Sequence, residues 1–149
     1  MNELKINHAA VWITALVVQV LPPLWYSEVF LGVIWTDLNQ LKPADFENFN
    51  MTPGLIMAFV SALAVGYTLA WVFTKMNVDS ALKGLQVALI FWLAFLFIEV
   101  TTQNMFTLRP FELTLIDEGV VLLKYEIFGI VLGSWRKYES APEEVLSNA

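Results

Sequence analysis

The sequence predicts an all-α integral membrane protein: a bundle of four transmembrane helices with a proline-kinked first helix and an interfacial segment. Four apolar stretches, residues 9–26, 53–74, 82–104 and 113–135, fill most of the chain. Each is close to the ~20 helical residues that cross a hydrocarbon core. Hydrophobic residues make up 58% of the chain, whereas soluble domains have about 45–50%. Charged residues make up 15% and lie mainly between the apolar stretches.

The composition also limits the function classes. The 149 residues form a single membrane domain, residues 1–149, because four spans leave no room for a second. The absence of cysteine excludes disulfides, thiolate metal sites and cysteine nucleophiles. A net charge of −6 does not favour nucleic acid, which requires basic patches. Residues 139–149 are polar and acidic, and we expect a flexible tail there.

The first apolar stretch is predicted to be a retained membrane helix. One lysine, Lys5, precedes it, but no small-x-small cleavage site follows. Pro22 and Pro23 remove two backbone donors, so the helix should kink or break there. Residues 24–38 then mix aromatic, apolar and acidic side chains. Two readings stay open for them: a helix in the outer headgroup region, or a continuation of the span past a kink.

The second and fourth stretches carry small residues at four-residue steps. Such stripes allow close approach of another helix, either within the bundle or in a homo-oligomer. The positions are Ala58, Ala62, Gly66 and Ala70 in the second stretch and Gly129 and Gly133 in the fourth. Pro53 is well placed in the first turn of the second helix.

The distribution of basic residues predicts the orientation. Five lie on one side of a four-span arrangement and two on the other, which places both termini in the cytoplasm. The five are Lys5, Lys75, Lys83, Arg136 and Lys137; the two are Lys42 and Arg109.

Ionisable residues inside the spans are the best functional candidates, because a charge at the bilayer centre costs ~2.5–3.5 kcal/mol on insertion scales. They are Glu99, Asp117, Glu118, Lys124 and Glu126. Glu99 and the Asp117–Glu118 pair should lie at nearly the same depth. We expect Lys124, near the midplane, to pair with Asp117 or Glu99. The cluster is interpreted as a proton or cation pathway, as a polar lock between helices, or as a docking surface.

Other residues give weaker signals. His8 is the only histidine and stands at the edge of the first helix, where we expect a surface residue. The sequence has no phosphate-binding glycine loop, nucleophile elbow or paired-histidine motif, so we expect no enzyme, cofactor or transition-metal site. An all-carboxylate site for a hard cation stays open. Arg109 is expected to cap its turn, or to pair with Glu112 or Glu99, with an anionic headgroup as the alternative.

Three short motifs resemble a family of bacterial four-span membrane proteins, domain of unknown function seventeen sixty-one. The first is Trp25-Tyr26-Ser27 followed by Phe30, Gly32 and Trp35; the second is Asn104, Phe106, Arg109 and Pro110; the third is Ile116 and Gly119. The resemblance covers about residues 7–135. The chain departs from the family pattern at Glu28, where a proline is usual, and at Asp117 and Glu118, near which the family has an asparagine and a histidine. The resemblance supports the four-span architecture and a bacterial inner-membrane location.

Two functions follow as hypotheses. One is a self-associating protein that binds or moves a proton, a cation or a small solute through the intramembrane acidic cluster. The other is an accessory subunit packed against a larger membrane complex. The expected partners are the lipid bilayer and either further copies of the chain or that complex.

Overall fold

The structure is a computed structural model that describes residues 2–140, with side chains described for residues 4–138. Most of it is helical. The elements are β1 (Asn2–Lys5), α1 (His8–Val17), a 3₁₀ turn (Val18–Val20), α2 (Leu21–Trp25), α3 (Gly32–Leu38), α4 (Pro43–Phe46), α5 (Thr52–Met76), α6 (Ala81–Trp92), a π-helical stretch (Leu93–Phe97), α7 (Ile98–Phe106), α8 (Phe111–Ser134) and β2 (Lys137–Ser140).

Three helical runs in the described part of the chain are long and apolar enough to cross a membrane. They are His8–Trp25, Thr52–Met76 and Ala81–Phe106, which matches the first three predicted spans to within two residues at each end. Helix α8 has 24 residues, also a spanning length, but its charged side chains keep it out of that set. The all-α membrane character is therefore confirmed, whereas the fourth span stays a prediction.

Local signals in the sequence explain where these helices begin and end. The Asn7 side chain accepts a hydrogen bond from the Ala10 amide at 3.2 Å and caps α1. The Ser80 hydroxyl caps α6 in the same way through the Lys83 amide at 3.3 Å. Asn77, with φ of 51°, ends α5 in the left-handed region that asparagine tolerates. Pro53 lies in the first turn of α5, as predicted from its missing donor.

Helices α1, α5, α6 and α8 pack around a core of small and large apolar side chains. Phe128 is fully buried and faces Gly66, where an added Cβ would lie 2.6 Å from its ring and 3.0 Å from Val11. Many large apolar side chains point outward instead: Ile56 of α5 is 57% exposed and Ile90 of α6 is 62% exposed. Such a surface suits lipid rather than water.

Helices α6 and α8 run antiparallel in the closest packing of the fold. Gly84 and Gly129 face each other so closely that a Cβ on Gly129 would lie 2.6 Å from the Gly84 carbonyl oxygen and 2.9 Å from Ala88 Cβ. One turn away, a Cβ on Gly133 would collide with the Ser80 carbonyl. The small side chains thus bring two backbones into contact.

The two ends of the described chain lie together. Strand β1 pairs with β2 in antiparallel register, with Leu4 opposite Tyr138 and Lys5 opposite Lys137. The Asn7 side-chain amide also donates to the Trp135 carbonyl at 3.1 Å. Residues 139 and 140 of the predicted tail belong to β2, and the rest of that tail, residues 141–149, lies outside the described residues.

The segment after the first helical run turns back and does not continue it. The Leu31 amide donates to the Trp25 carbonyl and the Gly32 amide to the Ser27 carbonyl, which closes a tight reversal. An added Cβ on Gly32 would meet the Tyr26 and Ser27 carbonyls, so only glycine fits there. Helix α3 is therefore a separate element folded against α8 and not a continuation of the first span, whereas its position in the headgroup region stays a prediction. A kink at Pro22–Pro23 stays a prediction.

Candidate functional site

The Asp117 carboxylate of α8 is held by two aromatic side chains from the reversed segment. Its Oδ1 accepts the Tyr26 hydroxyl at 2.9 Å and the Trp35 indole N–H at 2.8 Å. The two rings also contact each other, with centroids 5.1 Å apart. Both donors are neutral, so this arrangement, the Asp117 clasp, orients the carboxylate without neutralising its charge.

The neighbouring turn of α8 is fixed by Trp25. Its indole N–H donates to the Ile116 carbonyl at 2.9 Å, and an added Cβ on Gly119 would lie 2.8 Å from its ring. Phe30 packs edge-on against the same ring at 5.1 Å. Residues of the first and third motifs that resemble the family therefore meet on one surface of α8, although Trp25 and Ile116 are 91 residues apart.

Glu118 points to the other side of α8, into the protein. Its side chain is only 5% exposed, and its Oε2 accepts the Trp92 indole N–H at 3.1 Å. The same indole approaches the Glu118 carbonyl at 3.2 Å. One turn earlier on α8, the Thr114 hydroxyl accepts the Asn104 side-chain amide at 2.9 Å. Two adjacent carboxylates thus lie in different environments, each with neutral donors.

None of the remaining ionisable residues forms a hydrogen bond or an ion pair with these two carboxylates among the described side chains. Glu99 is exposed on α7, and Lys124 and Glu126 are partly buried on α8. Among residues 4–138 no ion pair connects Lys124 to Asp117 or Glu99, so the expected pairing is wrong. Seven residues of helix separate Lys124 from Asp117 by about 10 Å along the axis, and the Asp117 oxygen already accepts two other donors. Lys124 instead borders a groove of about 90 Å³ beside Val18 and Pro22.

Two further residues have simple surroundings. Arg109 is exposed in the turn between α7 and α8, and no ion pair with Glu112 or Glu99 occurs among the described side chains. Its backbone amide donates to the Asn104 carbonyl at 2.9 Å, and Pro110 directly precedes α8. His8 is exposed, as expected, and contacts the Tyr67 hydroxyl at 3.1 Å.

The small-residue stripes lie largely inside the described chain. Ala62, Gly66 and Ala70 are buried, and Ala58 is partly buried. The glycines of α8 pack against α6, as described above. These positions are used for packing within the chain, so they are not free as an oligomerisation face.

A groove of about 470 Å³ opens beside the Asp117 clasp. One wall is formed by the reversed segment and α3, and the other by the turn into α4. The lining of the groove includes Tyr26, Glu28, Val33, Thr36, Lys42 and Phe46. This volume is in the range of small-molecule sites. Within the described residues, no group of three or more histidine, aspartate or glutamate side chains has a geometry that suits a metal ion.

Comparison with known proteins identifies the family. The family model described as protein of unknown function (DUF1761) matches residues 9–133, and the chain therefore belongs to this family. Searches of the curated proteins and of the solved structures found no match.

Several residues of the site were not singled out from the sequence. Trp92 and Thr114 carry no local signal, since an aromatic and a threonine are common in apolar helices. Gly84 and Ala88 repeat the four-residue spacing found on α5 and α8, so the packing of α6 was detectable.

Proposed function

We propose that the protein is a four-span membrane protein whose fourth span is α8. The pairing of β1 with β2 supports this, because it brings the chain ends to one end of the bundle. Three crossings would leave those ends on opposite sides of a bilayer, and a fourth crossing restores them to the same side. A helix of 24 residues is about 36 Å long, enough for the hydrocarbon core.

The charges of α8 are compatible with a span. Glu118 is buried in the protein, and Asp117 and Lys124 are shielded in part from the outer surface. Ionisable residues in spans usually face the bundle interior. The count of basic residues, five against two, further supports an orientation with both termini in the cytoplasm, and the bacterial inner membrane stays the proposed location.

Within this architecture, we propose that Asp117 and Glu118 bind a proton, a cation or a small polar solute, and that the protein acts as a binding or transport protein rather than an enzyme. One observation carries the proposal: among the described residues, the hydrogen-bond donors to these two adjacent carboxylates are all neutral. A carboxylate in a low-dielectric site is neutral when protonated or compensated when a cation is bound. Tyr26 links Asp117 to the 470 Å³ groove and offers a route from the surface.

The test is a flux measurement in proteoliposomes with a trapped pH dye and an imposed K⁺ diffusion potential. We expect proton or cation flux for the wild-type chain and its loss in Asp117→Asn and Glu118→Gln. Glu47→Gln, an exposed residue outside these helices, is the matched control and should keep the flux. Equal flux in all four proteins, or no flux for any cation tested, would refute the proposal.

A specific observation favours a second candidate, the accessory subunit. Glu99 is exposed on the third spanning run, where no side chain of the described chain pairs with it. A membrane-exposed carboxylate is unfavourable unless a partner covers it. Native mass spectrometry of gently extracted protein distinguishes the candidates: a fixed complex with a larger protein supports the accessory role, whereas a homo-oligomer supports binding or transport with self-association.

A further inference from the structure

The groove beside the Asp117 clasp shares Tyr26 with the clasp, and its other lining residues have chemistry of their own. Its lining includes one acidic residue, Glu28, and one basic residue, Lys42, and neither forms an ion pair among the described side chains. Apolar side chains, including Val33 and Phe46, form the rest of the wall. A site with one charge of each sign and an apolar lining suits a ligand that also carries both charges.

The hydroxyl groups of two lining residues, Tyr26 and Thr36, already donate their protons. The Tyr26 hydroxyl donates to Asp117, so its oxygen can only accept. The Thr36 hydroxyl donates to the Val33 carbonyl at 2.8 Å or the Gly32 carbonyl at 3.0 Å, so its oxygen also can only accept. The Glu28 carboxylate is a third acceptor. Three acceptors match the three N–H donors of a primary ammonium, whereas a quaternary ammonium has none.

The net charge of the surrounding segment argues against a simple anion as the ligand. A simple cation as the ligand would leave Lys42 without a role. Residues 26–51 contain four carboxylates (Glu28, Asp37, Asp45 and Glu47) and one lysine, which leaves three net negative charges. A free anion is repelled by this field. A simple cation is attracted but makes no use of Lys42. A ligand with an ammonium and a phosphate or carboxylate satisfies both.

Hydrogen bonds of the backbone hold the two walls of the groove in place. Gln40, with φ of 57°, reverses the chain after α3, and the Leu41 amide donates to the Thr36 carbonyl at 3.0 Å. The Lys42 amide donates to Asp45 Oδ2 at 2.7 Å and starts α4. The groove is therefore preformed, which lowers the entropy that binding has to overcome.

We propose that this groove binds a zwitterion with a primary ammonium next to an anionic group, the ammonium at Glu28, Tyr26 and Thr36 and the anion at Lys42. The chemistry is shared by the headgroup of phosphatidylethanolamine and by a free solute such as glycerophosphoethanolamine, in which a phosphodiester carries one negative charge beside the ammonium. The site shares Tyr26 with the proposed flux route, but Glu28 and Lys42 form no hydrogen bond or ion pair with Asp117 or Glu118 among the described side chains, so variants at Glu28 and Lys42 test the groove alone.

The first experiment uses the full chain in nanodiscs of phosphatidylcholine and titrates glycerophosphoethanolamine and glycerophosphocholine by calorimetry. We expect glycerophosphoethanolamine to bind and glycerophosphocholine not to bind, since methylation removes every N–H donor. Glu28→Gln and Lys42→Gln should each weaken binding roughly tenfold, the effect of losing one charge-assisted hydrogen bond. Both side chains are exposed, so the fold should survive. Glu47→Gln, in the same segment but outside the groove, is the control and should bind normally.

The second experiment separates the two sources of the ligand. Native mass spectrometry after reconstitution with equal phosphatidylethanolamine and phosphatidylcholine shows which lipid stays bound. Retention of phosphatidylethanolamine that falls in Glu28→Gln and Lys42→Gln assigns the site to a lipid headgroup; binding of glycerophosphoethanolamine without lipid retention assigns it to a free solute. Equal binding of the choline compounds, binding of neither ethanolamine compound, or groove variants that behave like Glu47→Gln would overturn the proposal. Flux is measured separately, so either proposal can fail alone.

Discussion

Replacing Gly129 by alanine tests the closest helix contact of the fold. The added Cβ would lie 2.6 Å from the Gly84 carbonyl oxygen, about 0.8 Å short of the 3.4 Å at which ordinary contact begins. It would also lie 2.9 Å from Ala88 Cβ. A carbonyl in a helix cannot rotate away, so α6 and α8 have to separate.

The size of the effect follows from that separation. A gap of 0.5–1 Å forfeits roughly a quarter to a half of each dispersion contact, and overpacking costs about 1–3 kcal/mol. The higher helix propensity of alanine stabilises the helix by up to about 1 kcal/mol relative to glycine, which offsets part of this cost. We therefore expect Gly129→Ala to lower the free energy of unfolding by about 1–2 kcal/mol.

The assay is reversible denaturant unfolding in detergent, followed by circular dichroism. Gly54→Ala is the matched control, because no atom lies within 4 Å of its added Cβ. It should be neutral or stabilising by up to about 1 kcal/mol. If Gly129→Ala were as stable as Gly54→Ala, the α6–α8 contact described here would be refuted.

Three further predictions concern the clasp, the topology and a surface pair. Trp35→Phe should destabilise the protein by about 1.5–3 kcal/mol, the range for a hydrogen bond to a charged group; in a double-mutant cycle with Asp117→Asn the effect should shrink, and additive effects would contradict the clasp. Because the chain has no cysteine, single variants Lys5→Cys and Lys137→Cys should react with an impermeant maleimide from the same side and Glu47→Cys from the other; labelling of Lys5→Cys and Lys137→Cys from opposite sides would exclude four spans. The hydrogen bond from Lys83, 2.7 Å away, holds the pKa of Asp79 below its ordinary value. This pair therefore stabilises the fold above the unfolded pKa and loses its effect as pH falls through the folded pKa; an NMR titration in which Lys83→Ala leaves the Asp79 pKa unchanged would contradict this.

The spans and the family were predictable because their signals are local. Apolar runs as long as a bilayer is thick do not depend on tertiary contacts, and the structure reproduces three of them as spanning helices. The motif around Trp25 is short and aromatic, and the family match includes it. Pro53 and the small residues of α5 likewise act through their own geometry.

The clasp was not predictable, because its parts are distant in sequence. Trp35 and Asp117 are 82 residues apart, and Tyr26 and Asp117 are 91 apart. The prediction placed Glu99 near Asp117 only because both should lie at the same depth in the bilayer. Depth does not determine which face of a helix a side chain occupies, and Glu99 faces outward. The Lys124 pairing failed for a similar reason: a shared helix face does not bring two side chains within reach when seven residues separate them.

The direction in which the side chains of α7 point depends on the π-helical stretch at Leu93–Phe97. Trp92 and Asn104 both contact α8, at Glu118 and Thr114. In an uninterrupted α-helix these two residues would point about 120° apart, because each residue turns the helix by roughly 100°. A π turn takes up one extra residue, which leaves the two side chains within about 20° of each other. The π turn therefore lets one helical run contact both Glu118, through Trp92, and Thr114, through Asn104. The π turn also lies next to the acidic pair, and π-bulges are frequent at functional sites.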